Sequence, residues 1–301
     1  MEYRKLITEN RNPESMRLDE MSSFEIAQLM NRFDAEIAAA VKKTLPEIAE
    51  TADHIAAAFE KGGRLIYAGA GTSGRLGVLD AAECFPTFGA GKNMVDAVIA
   101  GGEPAMLTAV EGAEDSEQLG MENMKALSLC EKDVLVAISA SGSAAYCRGA
   151  LTFARSAGAF TAGVCCVAEP DFAPLCDVVI SAVVGPEILT GSTRLRAGTA
   201  TKMILNMLST ISMVRFGKVY ENLMVDMIPT NQKLSDRAVR ILQMVTGLSR
   251  EEAERKISEC RDTKTAIVSV KAGIGAKEAK EALMKAKENV RNAIGRKEKN
   301  E

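Results

Sequence analysis

The chain has no tryptophan, a single histidine and only 4% aromatic residues among 301. So few aromatics leave no platform on which nucleic-acid bases could stack. A formal net charge of −3 likewise lacks the positive excess that a phosphate backbone attracts. Nucleic acid is therefore not an expected partner. No apolar run approaches the roughly 18–20 residues of a membrane span. Met1-Glu2-Tyr3-Arg4-Lys5 leads into polar residues rather than the apolar core of a leader. A cytoplasmic protein without a membrane partner is expected. With His54 as the sole histidine, a His-rich metal site is excluded, as is a Ser-His-Asp triad elsewhere. His54 lies inside a helical pattern and reads as structural. The cysteines are Cys84, Cys130, Cys147, Cys165, Cys166, Cys176 and Cys260, with no CxxC pair among them. An odd set in apolar contexts reads as reduced interior thiols rather than disulfides or metal ligands.

What is present is apolar content of 47%, enough for the core of one large domain or two. Two turns stand out within it. Leu65-Ile66-Tyr67-Ala68-Gly69-Ala70-Gly71-Thr72-Ser73-Gly74-Arg75 runs from an apolar strand through small hydroxyl residues into a helix. Val134-Leu135-Val136-Ala137-Ile138-Ser139-Ala140-Ser141-Gly142-Ser143 does the same. Loops of this kind present free backbone N–H groups at a helix N-terminus, where the helix dipole favours an anion. Hydroxyls add donors without adding charge. Two such loops on neighbouring strands imply one site for a phosphorylated small molecule.

The surrounding pattern is α/β. Strands are expected at 64–68, 94–99, 134–138, 160–167 and 177–182, mostly separated by helical stretches. Several are unbroken apolar runs, as in parallel strands buried on both faces. A doubly wound, mainly parallel open sheet follows, with ligands at the C-terminal strand ends. Before it, the first twenty residues are polar and read either as a disordered arm or as a segment folded over a site. Ser22-Ser23-Phe24-Glu25 has capping-box spacing, with helical periodicity through Val41. Thr44-Leu45-Pro46 opens another helix, which Gly62-Gly63 ends. After the sheet, a Met-rich helix runs to about Phe216, its stripe fitting core or a subunit interface. In the tail, Gly247-Leu248-Ser249-Arg250-Glu251-Glu252-Ala253 is echoed roughly 26 residues later by Gly273-Ile274-Gly275-Ala276-Lys277-Glu278-Ala279. Two small stacked helical hairpins are expected there, with 296–301 a frayed end. The resulting division is an arm and helices over 1–54, a sugar-phosphate domain over 55–218, a connection over 219–245 and a helical module over 246–301.

Gly69-x-Gly71-x-x-Gly74 also has the spacing of a dinucleotide fingerprint, and Glu103 after the second strand keeps that reading open. The hydroxyls of Thr72 and Ser73 and the second Ser-rich loop favour a phosphate instead. Among the acids, Glu83 sits between Ala82, Cys84 and Phe85, a poorly hydrated setting in which a carboxyl stays protonated near neutrality. Glu114, beside Asp115 and Glu117, reads from its neighbours alone as part of a solvated helix start.

The stretch Gly185-Pro186-Glu187-Ile188-Leu189-Thr190-Gly191-Ser192-Thr193-Arg194-Leu195-Arg196-Ala197-Gly198-Thr199 and its continuation to Asn206 resembles a signature shared by N-acetylmuramic acid 6-phosphate etherases and the glucokinase regulatory protein. Thr8-Glu9-Asn10-Arg11-Asn12-Pro13, Gly71-Thr72-Ser73-Gly74-Arg75, Asp80-Ala81-Ala82-Glu83 and Glu111-Gly112-Ala113-Glu114-Asp115 match as well. So do Val225-Asp226-Met227 and Thr230-Asn231 with Lys233-Leu234. The match is collinear, and the length fits the etherase rather than the regulatory protein with its two sugar-isomerase-type (SIS) domains. The resemblance implies an SIS domain in a homodimer, its site near the subunit interface, with a small ubiquitin-associated-like helical tail. It implies cleavage of a lactyl ether without metal or cofactor, Glu83 and Glu114 falling on the family's two active-site positions. In the implied chemistry Glu83 is the acid that later activates water and Glu114 removes the C2 proton. Thr72, Ser73, Ser139, Ser141, Ser143, Ser192 and Thr193 would bind the sugar phosphate. A non-catalytic sugar-phosphate sensor and an aldose–ketose isomerase are the other readings of such a domain.

One departure bears on binding. Loops of this type read Ser-x-Ser-Gly and continue in etherases with Arg-Thr-Pro, whereas here Ser143-Ala144-Ala145 follows Gly142. Ser143 is the expected substitute donor. An unreplaced hydrogen bond to a charged acceptor costs about 1.5–3 kcal/mol. Arg196, where the signature carries lysine, keeps the charge but not the geometry.

Overall fold

A computed structural model of the chain describes residues 7–91, 93–229 and 231–295. The expected frayed end at 296–301 and Thr230 lie outside the described residues. The contacts divide the chain into two units, Met1–Ala81 with Lys92–Ser209, and Ala82–Gly91 with Thr210–Glu301.

The first unit opens with three short 3-10 turns, Ile7–Glu9, Pro13–Ser15 and Leu18–Glu20. Thr8 and Asn12 are buried, so from residue 7 the polar leader is folded rather than free. Ser22 and Glu25 close the expected capping box on α1 (Ser23–Asp34). The helical run then breaks at Ala35-Glu36 before α2 (Ile37–Lys42), where a single helix to Val41 was expected. The helix α3 (Leu45–Glu60) has Pro46 in its first turn, where the missing N–H costs nothing. Gly62 leaves it at φ +75°.

The sheet follows in βα steps: β1 (Leu65–Gly69), α4 (Gly71–Phe88), β2 (Val95–Ile99), α5 (Glu117–Ala126), β3 (Val134–Ile138), α6 (Ala145–Ser156), β4 (Phe160–Cys165) and β5 (Val178–Ser181). The five described strands are all parallel, in the order β2-β1-β3-β4-β5. They match the expected runs to within a residue or two. β1 and β3 are buried throughout, which is why their sequences do not alternate. Ile66, Ala68, Leu135 and Ala137 pack with Tyr146, Ala150 and Leu151 on the α6 face. α3 covers strands of the same sheet from the other side. His54 on α3 stacks on Phe160, ring centroids 3.9 Å apart, in the structural role expected of it. The described cysteines are all free thiols, most of them buried. Burial pushes those of Cys147, Cys166 and Cys176 up to about 12, so they stay protonated.

At the N-terminal edge of the sheet, Asp133 ties β1 to β3. Its carboxylate accepts hydrogen bonds from Arg64 N (2.9 Å), Arg64 Nη2 (2.7 Å) and Cys130 N (3.1 Å). Burial pushes the Asp133 carboxyl up, but these bonds and the Arg64 charge outweigh it and hold it below its ordinary value. Asp133→Ala strands part of this network and is expected to cost about 3 kcal/mol in urea melts. The sign for pH follows from the depressed value. The contribution is complete above the unfolded carboxyl's pKa, about 3.9, and is lost as pH falls through the lower folded one.

α7 (Arg196–Phe216) begins in the first unit and continues into the second. The rest of the second unit is α8 (Gln232–Thr246), α9 (Arg250–Cys260), α10 (Thr263–Ala272), α11 (Ala276–Lys285) and α12 (Val290–Ile294). The sequence echo is a repeat of capping devices. Gly247 and Gly273 end α8 and α10 in the left-handed conformation, at φ +74° and +68°. Glu252 and Glu278 reach back to the N–H of Ser249 (2.8 Å) and Gly275 (2.8 Å) to start α9 and α11. Asp262 and Asn289 then cap α10 and α12. Each copy is thus a helical hairpin, as expected. Lys264, itself buried, joins Asp226 (3.0 Å) and Glu288 (3.3 Å) beneath them.

Candidate active site

β1 and β3 are adjacent, Gly69 opposite Ile138, while β2 lies on the far side of β1. The chain therefore leaves these two strands in opposite directions, and a crevice opens past their C-terminal ends. Glycine brings the first helix to that crevice. A side chain on Gly69 would meet the Gly74 N and the Ile138 carbonyl at 2.9 Å, so α4 can seat directly on the strand end. Its first turn, with N–H groups that have no partner inside the helix, then faces the opening.

The second loop is pinned to the continuation of β4. Ser139 N donates to Val164 O (3.0 Å) and Cys166 N to Ala140 O (2.9 Å). Gly142 sits at φ +68° against Pro170, where a Cβ would overlap the proline ring. The Ser141 and Ser143 hydroxyls are 2.7 Å apart. Arg148, one turn into α6, donates to the Ser143 carbonyl (2.8 Å) and pairs with Glu117 (2.7 Å).

The third contribution comes from the loop before α7. Glu187 is buried and accepts from the N–H groups of Arg196 (3.0 Å) and Ala197 (2.9 Å), holding that helix start in place. Burial raises the Glu187 carboxyl above its usual value, against those two hydrogen bonds. Arg196 does not turn to the crevice. Its guanidinium reaches Glu36 (3.0 Å) and the Pro186 carbonyl (3.3 Å) and lies over the Phe33 ring.

These elements enclose a cavity of about 290 Å³. Of the expected binding residues, Thr72, Ser73, Ser139, Ser141, Ser143 and Thr193 line it, with Gly191 in place of Ser192. Glu114 lines it too, as do Asp115 and Glu9. Among the described residues no lysine or arginine does. An anion there is met by hydroxyls and by the N-termini of α4 and α6.

Glu114 owes its place to packing. Gly112, at φ +72°, turns the chain into a 3-10 turn, Ala113–Asp115, and Ser116 caps α5 behind it. Gly120 and Gly149 let α5 and α6 approach so closely that a methyl on either would overlap the other helix's backbone. Glu83 stands differently. It lies on α4 about three turns beyond Thr72, its side chain is exposed, and it is not among the residues lining the cavity. The expected poor hydration does not arise within the chain. Cys84 and Phe88 take the buried side of α4, and Glu83 falls on the adjoining face.

Composition gave no sign of Glu9, whose position depends on the path of the leader. Asp115 was legible only as a neighbour of Glu114.

A parallel 2-1-3-4-5 sheet with hydroxyl loops at the ends of β1 and β3 defines an SIS-type α/β protein. The glucokinase regulatory protein N-terminal SIS domain matches residues 47–155. A phosphoheptose isomerase from Francisella tularensis shares the fold, with a TM-score of 0.50 at 19% identity, covering 64% of this chain and all of that one. An N-acetylmuramic acid 6-phosphate etherase of Photorhabdus laumondii is 52% identical over 281 residues, 93% of each chain. One from Histophilus somni is 47% identical over 294 residues, 97% of each. The chain belongs to the N-acetylmuramic acid 6-phosphate etherase family. Among the described residues no helix is long and apolar enough to cross a membrane.

Proposed function

We propose that the chain is a carbon–oxygen lyase that cleaves the D-lactyl ether of N-acetylmuramic acid 6-phosphate. The products are N-acetylglucosamine 6-phosphate and D-lactate, in the cytoplasmic salvage of cell-wall amino sugars. The observation that carries this is that Glu114 lines one cavity with two hydroxyl loops at helix N-termini. Neutral donors hold the 6-phosphate and leave a carboxylate beside the sugar carbons. In the open-chain sugar the C2 proton is α to the C1 aldehyde, and the lactyl oxygen on C3 is β to it. Glu114 takes the C2 proton, the C2=C3 bond forms, and the C3–O bond breaks. An acid supplies the proton that the lactyl oxygen acquires as D-lactate leaves. Water then adds its oxygen to C3, and C2 regains a proton.

The acid is Glu83, brought by a second copy of the chain in a homodimer. Its helix face supports this reading. Leu79, Ala82 and Pro86 share that face by helical spacing, and Leu79 and Ala82 are exposed along with Glu83. Covered by a partner, Glu83 would lie in a drier setting than it has in the single chain.

Incubating the protein with N-acetylmuramic acid 6-phosphate tests the assignment. Equimolar D-lactate and N-acetylglucosamine 6-phosphate are expected. Tight binding of the sugar phosphate without lactate would instead make the chain a sensor. Ser143→Ala removes a hydroxyl held by Ser141 and is expected to raise KM by about tenfold, with kcat nearly unchanged. Steady-state kinetics on the two proteins separates these terms.

A further inference from the structure

A second cavity, of about 240 Å³, lies beside the hydroxyl-lined one, and Ala70, Gly71 and Glu114 border both. Its chemistry is different. Five alanines line it, among them Ala105 and Ala109, together with Val110. The charged residues of its lining are Arg75, Glu114 and the exposed Glu111.

Arg75 is placed unusually for a cation. It stands near the N-terminus of α4, where the helix dipole disfavours positive charge. Its Nε donates to the Met106 carbonyl (3.2 Å) and its Nη2 to the Thr108 carbonyl (3.3 Å). No described carboxylate pairs with it, although Glu111 and Glu114 line the same space. A guanidinium carries five N–H donors, so two carbonyls leave three unspent and the charge uncompensated. The natural complement is a carboxylate, for which the planar guanidinium is suited.

We propose that this second cavity receives the short carboxylate-bearing substituent of the substrate, with Arg75 recognising its carboxylate. The inference rests on the etherase reading above and extends it. The sugar phosphate fills the hydroxyl cavity, and Glu114 stands at the border where the reacting carbons lie. The group expelled from C3 projects past Glu114. A D-lactyl group has one methyl and one carboxylate, which match the alanine wall and Arg75 respectively. Arg75 also joins the loop over 106–108 to α4, so the wall and the cation are positioned together.

The test compares N-acetylmuramic acid 6-phosphate with its lactamide, in which the carboxylate is neutral and the ether unchanged. The unmodified protein is expected to favour the acid by about 10- to 100-fold in kcat/KM. Arg75→Gln should collapse that preference to near unity, and Arg75→Lys should retain an intermediate one. Ala109→Leu, which fills the cavity from an exposed wall, should raise KM for both ethers while N-acetylglucosamine 6-phosphate still binds. That product lacks the substituent, and its binding by the Arg75 variants shows the hydroxyl cavity to be intact. Equal losses on acid and lactamide would give Arg75 a purely structural role and overturn the proposal, as would an Ala109→Leu protein with unaltered KM. If the unmodified protein released no lactate from either compound, the etherase reading itself would fail. Failure of the subsite alone leaves lactate release intact.

Discussion

Glu114→Gln is expected to lower kcat for lactate release by about 10²–10⁴-fold, the usual contribution of one positioned proton-transfer group. KM should change little, because the proposed phosphate grip lies in the loops around Ser73 and Ser141 rather than in the carboxylate. The same variant should lose exchange of the C2 proton with D₂O, since the amide is no base. Glu83→Gln should behave differently: lactate release falls over a comparable range, while exchange at C2 persists. Exchange that survives in Glu114→Gln and vanishes in Glu83→Gln would reverse the two roles. Gln is the appropriate replacement because it is isosteric and Glu114 is exposed on a short 3-10 turn.

The second large effect concerns the proposed dimer. If each site combines Glu114 of one copy with Glu83 of the other, two inactive variants should repair each other on mixing. In a Glu83→Gln/Glu114→Gln heterodimer one site inherits both glutamates and the other neither. After random re-association, half the dimers are mixed, so about one quarter of unmodified activity is expected under two-fold symmetry. Each variant alone stays near its own low rate. A mixture no more active than its components, with subunit exchange verified by mass, would place both carboxyl groups in one chain.

The sheet was legible because its strands are local signals. Val134–Ile138 and Leu65–Gly69 are short apolar runs ended by Gly or Ser, and parallel strands buried on both faces need no alternation. The cap at Ser22 with Glu25 was legible for the same reason, being satisfied within four residues. The break between α1 and α2 was not, since Ala35-Glu36 contains no breaker and the helix is interrupted there without one. In the site, the hydroxyl loops could be read because strand, glycine and hydroxyls are contiguous. Glu114 could not, because the turn that carries it depends on Gly112 and on the close approach of α5 and α6 at Gly120 and Gly149, on two different helices. Glu83 is the converse case within the single chain. Its neighbours in sequence are apolar, but adjacent helical residues point about 100° apart, so Cys84 is buried while Glu83 is not. Arg75 likewise acquires its surroundings from a loop some thirty residues later in the chain, invisible to any local window.

The proposed site is one cavity in which hydroxyl loops would grip a phosphate and Glu114 would face the sugar. A crystal structure of the Glu114→Gln protein with N-acetylmuramic acid 6-phosphate bound tests it most directly. The prediction is a phosphate within hydrogen-bonding distance of the Ser73, Ser139, Ser141 and Ser143 hydroxyls, with C2 turned toward residue 114. A phosphate held anywhere else, or a sugar with C2 and C3 directed away from that residue, would contradict it.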